Sequence, residues 1–251
     1  KQELRAQLQF RGAPRGVVEV LASFHAVDGD YSSAHWVATR HGDFRVAPYQ
    51  GNARLWALAH PLPPDLWKIA NDASQETSMD PTLALAIIRH ESGYRHGSVS
   101  GRGAVGVMQL MPNTAKNVFK KWYREGPPSR RGLYKPKTNI RAGLGLFALL
   151  ERLYRGNLPL MIGAYNAGPA VASRWWRNRD GLDTDGLVEE MTYPGTMAYV
   201  KKVIGSWYAY RVLYGDAEPP PLPLTLPDSL GDYARGEPET VGTLDRWQGI
   251  E

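Results

Sequence analysis

Apolar residues recur every three or four positions through the middle of the chain, and this spacing constrains the fold more than any other feature. It is the period of an α-helix that packs one face against other elements. Between residues 139 and 154, the residues with this spacing are Ile140, Leu144, Phe147 and Leu150. No run of comparable length alternates apolar and polar residues as a half-buried β-strand does. We therefore predict a mainly α-helical fold, with helices over residues 139–154, 158–165 and 197–214.

Changes in composition divide the chain into three segments. Residues 1–62 contain short amphipathic helical patterns, one over residues 17–24 and a second over Tyr31–Arg40. Such a pair resembles the end of an α-solenoid, although one pair does not establish a repeat. Leu62-Pro63-Pro64 then interrupts the helical pattern and marks a boundary. We predict a helical first segment over residues 1–62 and a helical globular domain over residues 63–214.

The third segment, residues 215–251, is rich in proline and includes the run Pro219-Pro220-Pro221. Proline in such runs favours an extended polyproline-like path over helix or strand. The segment also carries the apolar residues Leu222, Leu224, Leu226, Tyr233 and Trp247. We therefore expect an extended tail that packs along the body of the protein.

Composition limits the partners and the chemistry. The net charge of +5 favours an acidic partner, but Lys and Arg stand in no block longer than two, unlike a nucleic-acid-binding stripe. The sequence has no cysteine and no HExxH motif, so we expect no metal or other cofactor. No apolar stretch is long enough to span a membrane. The chain begins at Lys1 without an apolar signal segment, so we expect any targeting sequence to have been removed.

Glu91 lies on the apolar face of a predicted helix. Asp80 and Pro81 form a helix start, because aspartate accepts hydrogen bonds from first-turn amides and proline suits the first helical position. Ile87 precedes Glu91 by four residues and therefore shares its helix face. Burial on that face would raise the pKa of the carboxyl, as a general acid requires. The alternative is an exposed glutamate at a helix end, since Ser92-Gly93 follows directly.

Three further strings carry a resemblance to a known family. Glu91-Ser92, then Gly-Val-Met-Gln-Leu-Met-Pro over residues 106–112, then Ala-Tyr-Asn-Ala-Gly over residues 164–168 occur in this order. Together they resemble the soluble lytic transglycosylase family, whose catalytic domain is similar in fold to goose-type lysozyme. The resemblance covers about residues 60–214. It implies that Glu91 is the catalytic acid and that Ser92 belongs to the substrate site.

The resemblance also assigns expected roles to the other motif residues. Glycines 101, 103 and 106 would let a loop approach a sugar ring closely. Met108 and Gln109 would line the groove, whereas plain core packing is the alternative for the methionine and its apolar neighbours. The Tyr165 hydroxyl would bond to Glu91 or to the sugar, and Asn166 would offer its amide to an N-acetyl or hydroxyl group.

A fourth string, residues 188–200, resembles the last motif of the family less closely. Glu189 matches the groove glutamate of the family, although a shift of one residue to Glu190 remains open. Tyr193 and Tyr199 would contact substrate, or alternatively serve only in helix packing. Gly195 stands where the family usually has an acidic residue, and an arginine of the family is replaced as well, at position 197. These departures concern the end of the groove and the peptide stems.

The resemblance implies cleavage of peptidoglycan glycan strands in the periplasm or cell envelope. The motifs supply one carboxylate, whereas ordinary glycosidases use two. An intramolecular route then follows, in which Glu91 acts as acid and then as base and the product carries a 1,6-anhydro ring. One alternative is a lysozyme-like hydrolase in which Glu189 or an aspartate of residues 180–185, expected in a loop, activates water. The other is a non-catalytic glycan-binding scaffold that recruits protein partners through residues 1–62.

Overall fold

The computed structural model describes residues 14–44, 51–215 and 219–233, and these are mainly helical. The first helices are α1 (Arg15–Val27), α2 (Tyr31–His41) and α3 (Ala53–Ala59). They are followed by α4 (Pro64–Thr77), α5 (Pro81–Glu91), α6 (Pro112–Val118), α7 (Pro136–Tyr154), α8 (Leu158–Ala167), α9 (Pro169–Arg177), α10 (Thr184–Glu189) and α11 (Pro194–Tyr214). Within the described ranges, β structure is limited to isolated bridges around Val105. The prediction of a mainly α-helical fold is confirmed.

Proline begins most of the later helices, because its fixed φ suits the first turn and its missing N–H is not needed there. At the start of α5, Asp80 Oδ1 accepts a hydrogen bond from the Thr82 amide at 2.8 Å, as predicted. Helix α6 likewise begins at a proline, Pro112. The helix expected from residue 139 begins earlier, at Pro136.

The central helix is α7, which is buried along most of its length and packs against α4, α6 and α8. Two of its positions are glycine because neighbouring side chains occupy the space of a Cβ. At Gly143 a Cβ would collide with the Met108 thioether, and at Gly145 it would lie 2.7 Å from Val118. Helix α5 packs against α4 and α11, which places the end of α5 beside the middle of α11.

Residues 219–233 follow an extended path along several helices. Tyr208 of α11 donates its hydroxyl hydrogen to the Pro220 carbonyl at 2.7 Å, and Trp176 of α9 donates its indole N–H to the Pro227 carbonyl at 2.8 Å. Tyr233 is completely buried and Leu222 and Leu226 pack against the core, whereas Leu224 is 66% exposed. Trp247, which we expected to pack in the same way, lies outside the described residues.

Candidate active site

Glu91 is the last residue of α5, and the helix before it is almost entirely buried. Leu85, Ile87 and Ile88 have no exposed surface. The carboxyl group is therefore carried to the end of an apolar helix, where it is partly buried. Helix α5 ends here because Ser92 leaves helical geometry and Gly93 follows in a left-handed conformation with φ of 54°.

A phenol holds the carboxyl group of Glu91. Tyr199 of α11 donates its hydroxyl hydrogen to Glu91 Oε1 at 2.6 Å. Burial raises the pKa of Glu91 from its ordinary value of 4.5 to about 7, and the hydrogen bond from Tyr199 opposes part of that rise. Burial and the nearby charge of Glu91 raise the pKa of Tyr199 well above 10, so this phenol stays a neutral donor. Near neutral pH the carboxyl is therefore divided between its protonated and ionised forms.

Tyr165 lies close by but has a different partner. Its ring stacks on Phe147 with centroids 4.8 Å apart, and its hydroxyl donates to the Met108 carbonyl at 2.7 Å. Burial raises the pKa of Tyr165, and the charge of Glu91 raises it further. The two groups therefore influence each other electrostatically. The hydroxyl that donates a hydrogen bond to Glu91 is therefore that of Tyr199 and not that of Tyr165. Sequence reasoning assigned Tyr199 to the substrate site but missed this bond, because the two residues are 108 positions apart.

The loop that precedes α6 is fixed by Asn139, a buried residue in the first turn of α7. Asn139 Oδ1 accepts from the Met108 amide at 2.7 Å, and its Nδ2 donates to the carbonyls of Val105 and Leu133 at 2.9 and 3.0 Å. Gly106 has φ of 83°, and an added Cβ would lie 2.6 Å from the Leu133 carbonyl oxygen, so only glycine fits. Asn139 could not be identified from the sequence, because it stands among polar and charged residues at the start of a helix.

Three residues expected to contact substrate are turned toward the protein. Met108 does not line a groove: its side chain has no exposed surface, because it fills the space left by Gly143. Ser92 is 2% exposed, and its hydroxyl donates to the Ile88 carbonyl at 3.1 Å, so it caps α5. Gln109 is partly buried and its Nε2 donates to the carbonyls of the loop itself, at 2.8 Å to Gly106. These three side chains therefore support the site through contacts within the protein.

A cavity of about 320 Å³ lies beside Tyr165. Its wall includes Asn166, Tyr193 and Thr196 together with Arg102 from the loop before α6. Thr196 donates its hydroxyl hydrogen to Asn166 Oδ1 at 2.7 Å, which orients the exposed amide. Tyr193 is 47% exposed, and its ring packs edge to face against Trp175. The structure thus brings Tyr165, Asn166 and Tyr193 together at one cavity.

None of the candidate carboxylates, Glu91 included, is among the residues that line this cavity. Glu189 is exposed at the end of α10, and its Oε1 lies 2.7 Å from Lys201 Nζ. Asp183 caps α10 by accepting from the Gly186 amide at 2.7 Å, and Asp185 belongs to the first turn of that helix, so the loop expected over residues 180–185 ends at residue 183. Among the described residues, no group of three or more His, Cys, Asp or Glu side chains is arranged to hold a metal ion. Nor is any helix in those ranges long and apolar enough to cross a membrane.

Two comparisons with other sequences identify relatives of this architecture. Residues 68–188 match the transglycosylase SLT domain. The soluble lytic murein transglycosylase of Escherichia coli K12 is 35% identical over 136 residues, which cover 54% of this chain and 21% of the relative. The putative soluble lytic murein transglycosylase of Haemophilus influenzae is 31% identical over 170 residues, which cover 66% of this chain and 28% of the relative. The chain thus spans less than a third of the length of either relative.

A solved structure shows the same fold. An inactive mutant of the lytic transglycosylase Slt from Pseudomonas aeruginosa superposes with a TM-score of 0.70 at 22% identity. The superposition covers 90% of this chain and 34% of that chain, so it extends beyond residues 68–188. At this level of identity the likeness establishes the fold alone. Through residues 68–188, this chain is therefore similar to the transglycosylase SLT domain and to the soluble lytic murein transglycosylases.

Proposed function

We propose that this chain is a peptidoglycan lytic transglycosylase that cleaves the β-1,4 bond between N-acetylmuramic acid and N-acetylglucosamine. The observation that carries the proposal is the state of Glu91, a partly buried carboxyl group with a pKa of about 7 and a hydrogen bond from Tyr199. A general acid works best when its pKa lies near the operating pH. The names of the relatives, which are murein transglycosylases, support the same substrate class.

In the first step Glu91 acts as the acid. Its protonated carboxyl donates the proton to the glycosidic oxygen, the bond from that oxygen to the anomeric carbon breaks, and the N-acetylglucosamine part leaves as an alcohol. Positive charge develops at the anomeric carbon of the muramoyl residue, where the neighbouring N-acetyl group can stabilise it. Tyr199 stabilises the carboxylate that remains, because it donates to one of its oxygens.

In the second step Glu91 acts as the base. The carboxylate takes the proton from the muramoyl 6-hydroxyl while that oxygen attacks the anomeric carbon. The new bond closes a 1,6-anhydro ring, Glu91 regains its proton, and no water is consumed. This route needs one carboxyl group, and Glu91 is the candidate carboxylate with a protein environment suited to proton transfer. Glu189 is exposed and paired with Lys201, and Asp183 accepts the hydrogen bond that caps α10, so neither group shares the buried surroundings of Glu91, which favours the route with one carboxyl group.

Mass spectrometry of soluble products from purified sacculi tests the proposal. We expect muropeptides one water lighter than hydrolysis products from the wild type and none from Glu91→Gln. Products with reducing ends would instead establish a hydrolase and require a second carboxylate. Binding of sacculi by both proteins without any product would establish a glycan-binding scaffold. Because the substrate is the bacterial wall, we also propose that the protein acts in the periplasm or cell envelope, which fractionation of cells expressing the native gene would check.

A further inference from the structure

The first three helices have an apolar core of their own. Residues of α1, α2 and α3, among them Val18, Leu21, Val37 and Leu55, form a cluster separate from the large core of the later helices. Tyr31 and the His35 ring of α2 pack against the large core, and polar contacts also join the two parts of the protein. Tyr214 of α11 donates to the His60 carbonyl at 2.9 Å, and Tyr210 of α11 donates to the Pro61 carbonyl at 3.0 Å. The end of α5 lies at the centre of this polar junction.

Arg89 occupies the junction two residues before Glu91. Its Nε donates to the Ala59 carbonyl at 3.0 Å, and its Nη2 donates to Thr39 Oγ1 at 3.4 Å, so it contacts α2 and α3. Its Nη1 donates to Ser206 Oγ of α11 at 3.1 Å. In the part of the chain that the structure describes, no carboxylate pairs with this guanidinium. Arg89 therefore links three segments through neutral acceptors and not through an ion pair.

His90 makes the next contact, between α5 and α11. Its Nε2 lies 2.8 Å from Ser206 Oγ and 3.0 Å from the Lys202 carbonyl oxygen. Its ring packs edge to face against Tyr199, with the two centroids 6.4 Å apart. Burial, together with the charge of Arg89, lowers the pKa of His90 to about 3, so the ring is neutral near pH 7. The ring that holds Tyr199 in place thus stands directly before Glu91 in the chain.

We propose that Arg89 and His90 are positioning residues for Glu91, and that the first three helices act on the candidate active site through them. The inference rests on the proposed function of Glu91. The bond of 2.6 Å from Tyr199 to Glu91 requires α11 and the last turn of α5 to keep one relative position. Arg89 and His90 fix that position from both sides, since each contacts α11 and Arg89 also contacts α2 and α3.

The test compares His90→Leu with His90→Gln in the full 251-residue chain. Leucine removes the contacts to Ser206 and Lys202, whereas glutamine can restore them from a similar length. We expect His90→Leu to lower kcat about tenfold with little change in KM, since small displacements of a catalytic group reduce rate and not binding. The alkaline limb of the pH profile should move to higher pH, because a weaker hydrogen bond from Tyr199 raises the pKa of Glu91. His90→Gln should recover most of the rate.

His96→Leu is the matched control, because His96 is an exposed histidine just beyond the same helix. It should leave kcat and the pH profile unchanged. Ser206→Ala removes the hydroxyl that contacts both Arg89 and His90. It should act in the same direction as His90→Leu, and it replaces that variant if the leucine variant does not fold. Variants that lower the melting temperature but keep the wild-type kcat and pH profile would show a purely structural role and overturn the proposal.

A titration of the Glu91 carboxyl by ¹³C NMR separates this inference from the proposed function. The Glu91 signal is assigned by its loss in Glu91→Gln. An upward movement of the Glu91 pKa in His90→Leu would support positioning even if the wild type released no muropeptides, in which case only the proposed function would fail. An active wild type whose Glu91 pKa and kcat do not respond to His90→Leu would retain the proposed function and reject the positioning role.

Discussion

The ends of α5 and α10 each present a glutamate as the last helical residue, yet the two groups lie in opposite surroundings. Glu91 follows a buried helix and accepts a hydrogen bond from the phenol of Tyr199. Glu189 follows a single short helix, is exposed, and pairs with the Lys201 ammonium. An exposed ion pair contributes little free energy and leaves the carboxylate in contact with solvent. The difference teaches that the supporting helix, and not the residue type or the motif, makes a carboxyl group into an acid.

Replacing each glutamate in turn gives the largest expected contrast. Glu91→Gln removes the proton donor but keeps an oxygen that can accept from Tyr199, so we expect kcat to fall about 10³-fold or more with binding of sacculi retained. The measurement is the rate of muropeptide release beside a sacculus pull-down. Glu189→Gln, assayed in parallel, should keep kcat within a few fold. An equal loss of kcat in the two variants would contradict the difference between the two glutamates and support a hydrolase that uses two carboxylates.

Removal of the Tyr199 hydroxyl should have the next largest effect on kcat. Tyr199→Phe keeps the ring against His90 but deletes the hydrogen bond to Glu91. Because that bond lowers the pKa of Glu91, its loss should raise the pKa further above 7 and move the alkaline limb of the activity profile upward. We expect kcat to fall about tenfold, since the carboxylate formed in the first step loses its donor.

Tyr193→Phe is the control for that experiment, because Tyr193 lines the cavity but makes its ring contact with Trp175. It should leave the position of the alkaline limb unchanged. An upward movement of the limb in Tyr193→Phe equal to that in Tyr199→Phe would show that Tyr199 has no special influence on Glu91.

The environment of Glu91 should also be visible in the free energy of unfolding. Folded Glu91 keeps its proton up to about pH 7, whereas in the unfolded chain it loses the proton near 4.5. The folded state therefore binds more protons between these values, and stability falls as pH rises through that window and is level above it. The lost free energy is about 3 kcal/mol at most, by the shift of the pKa.

Glu91→Gln should therefore be more stable than the wild type at pH 8 and comparable to it at pH 4. Urea denaturation at the two pH values measures this difference. Glu189→Gln should show no such gain, since its carboxylate is solvated and paired with Lys201. A wild type and a Glu91→Gln variant with parallel stability curves from pH 4 to pH 8 would contradict the buried-acid description.

Sequence reasoning was strongest where one local pattern decided the outcome. The start of α5 at Asp80-Pro81 and the apolar face leading to Glu91 follow from capping chemistry and helical period, which act over a few residues. The helix that begins at Pro136 was placed three residues late, because nothing in the pattern distinguishes Pro136 from a preceding turn.

The sequence was weakest where a contact joins distant segments. Met108 was expected to face the groove, but a glycine at position 143 opens a space in α7 that the thioether fills. The bonds of Asn139 to the loop before α6, and of Tyr199 to Glu91, connect residues 31 or more positions apart. Such pairs depend on how helices pack, and helical period does not specify which helices meet.

The smallest predicted effect concerns Glu189 itself. If it contacts the glycan, as its place in the last motif suggests, its role is binding, because a solvated carboxylate paired with Lys201 is not placed to transfer a proton. Glu189→Gln should then raise KM about threefold on soluble glycan strands and leave kcat nearly unchanged. Glu190→Gln is the matched control, since that residue is also exposed and follows directly. A larger effect on KM in Glu190→Gln would shift the motif by one residue, whereas a fall in kcat in Glu189→Gln would mean that an exposed helix end can also supply a catalytic group.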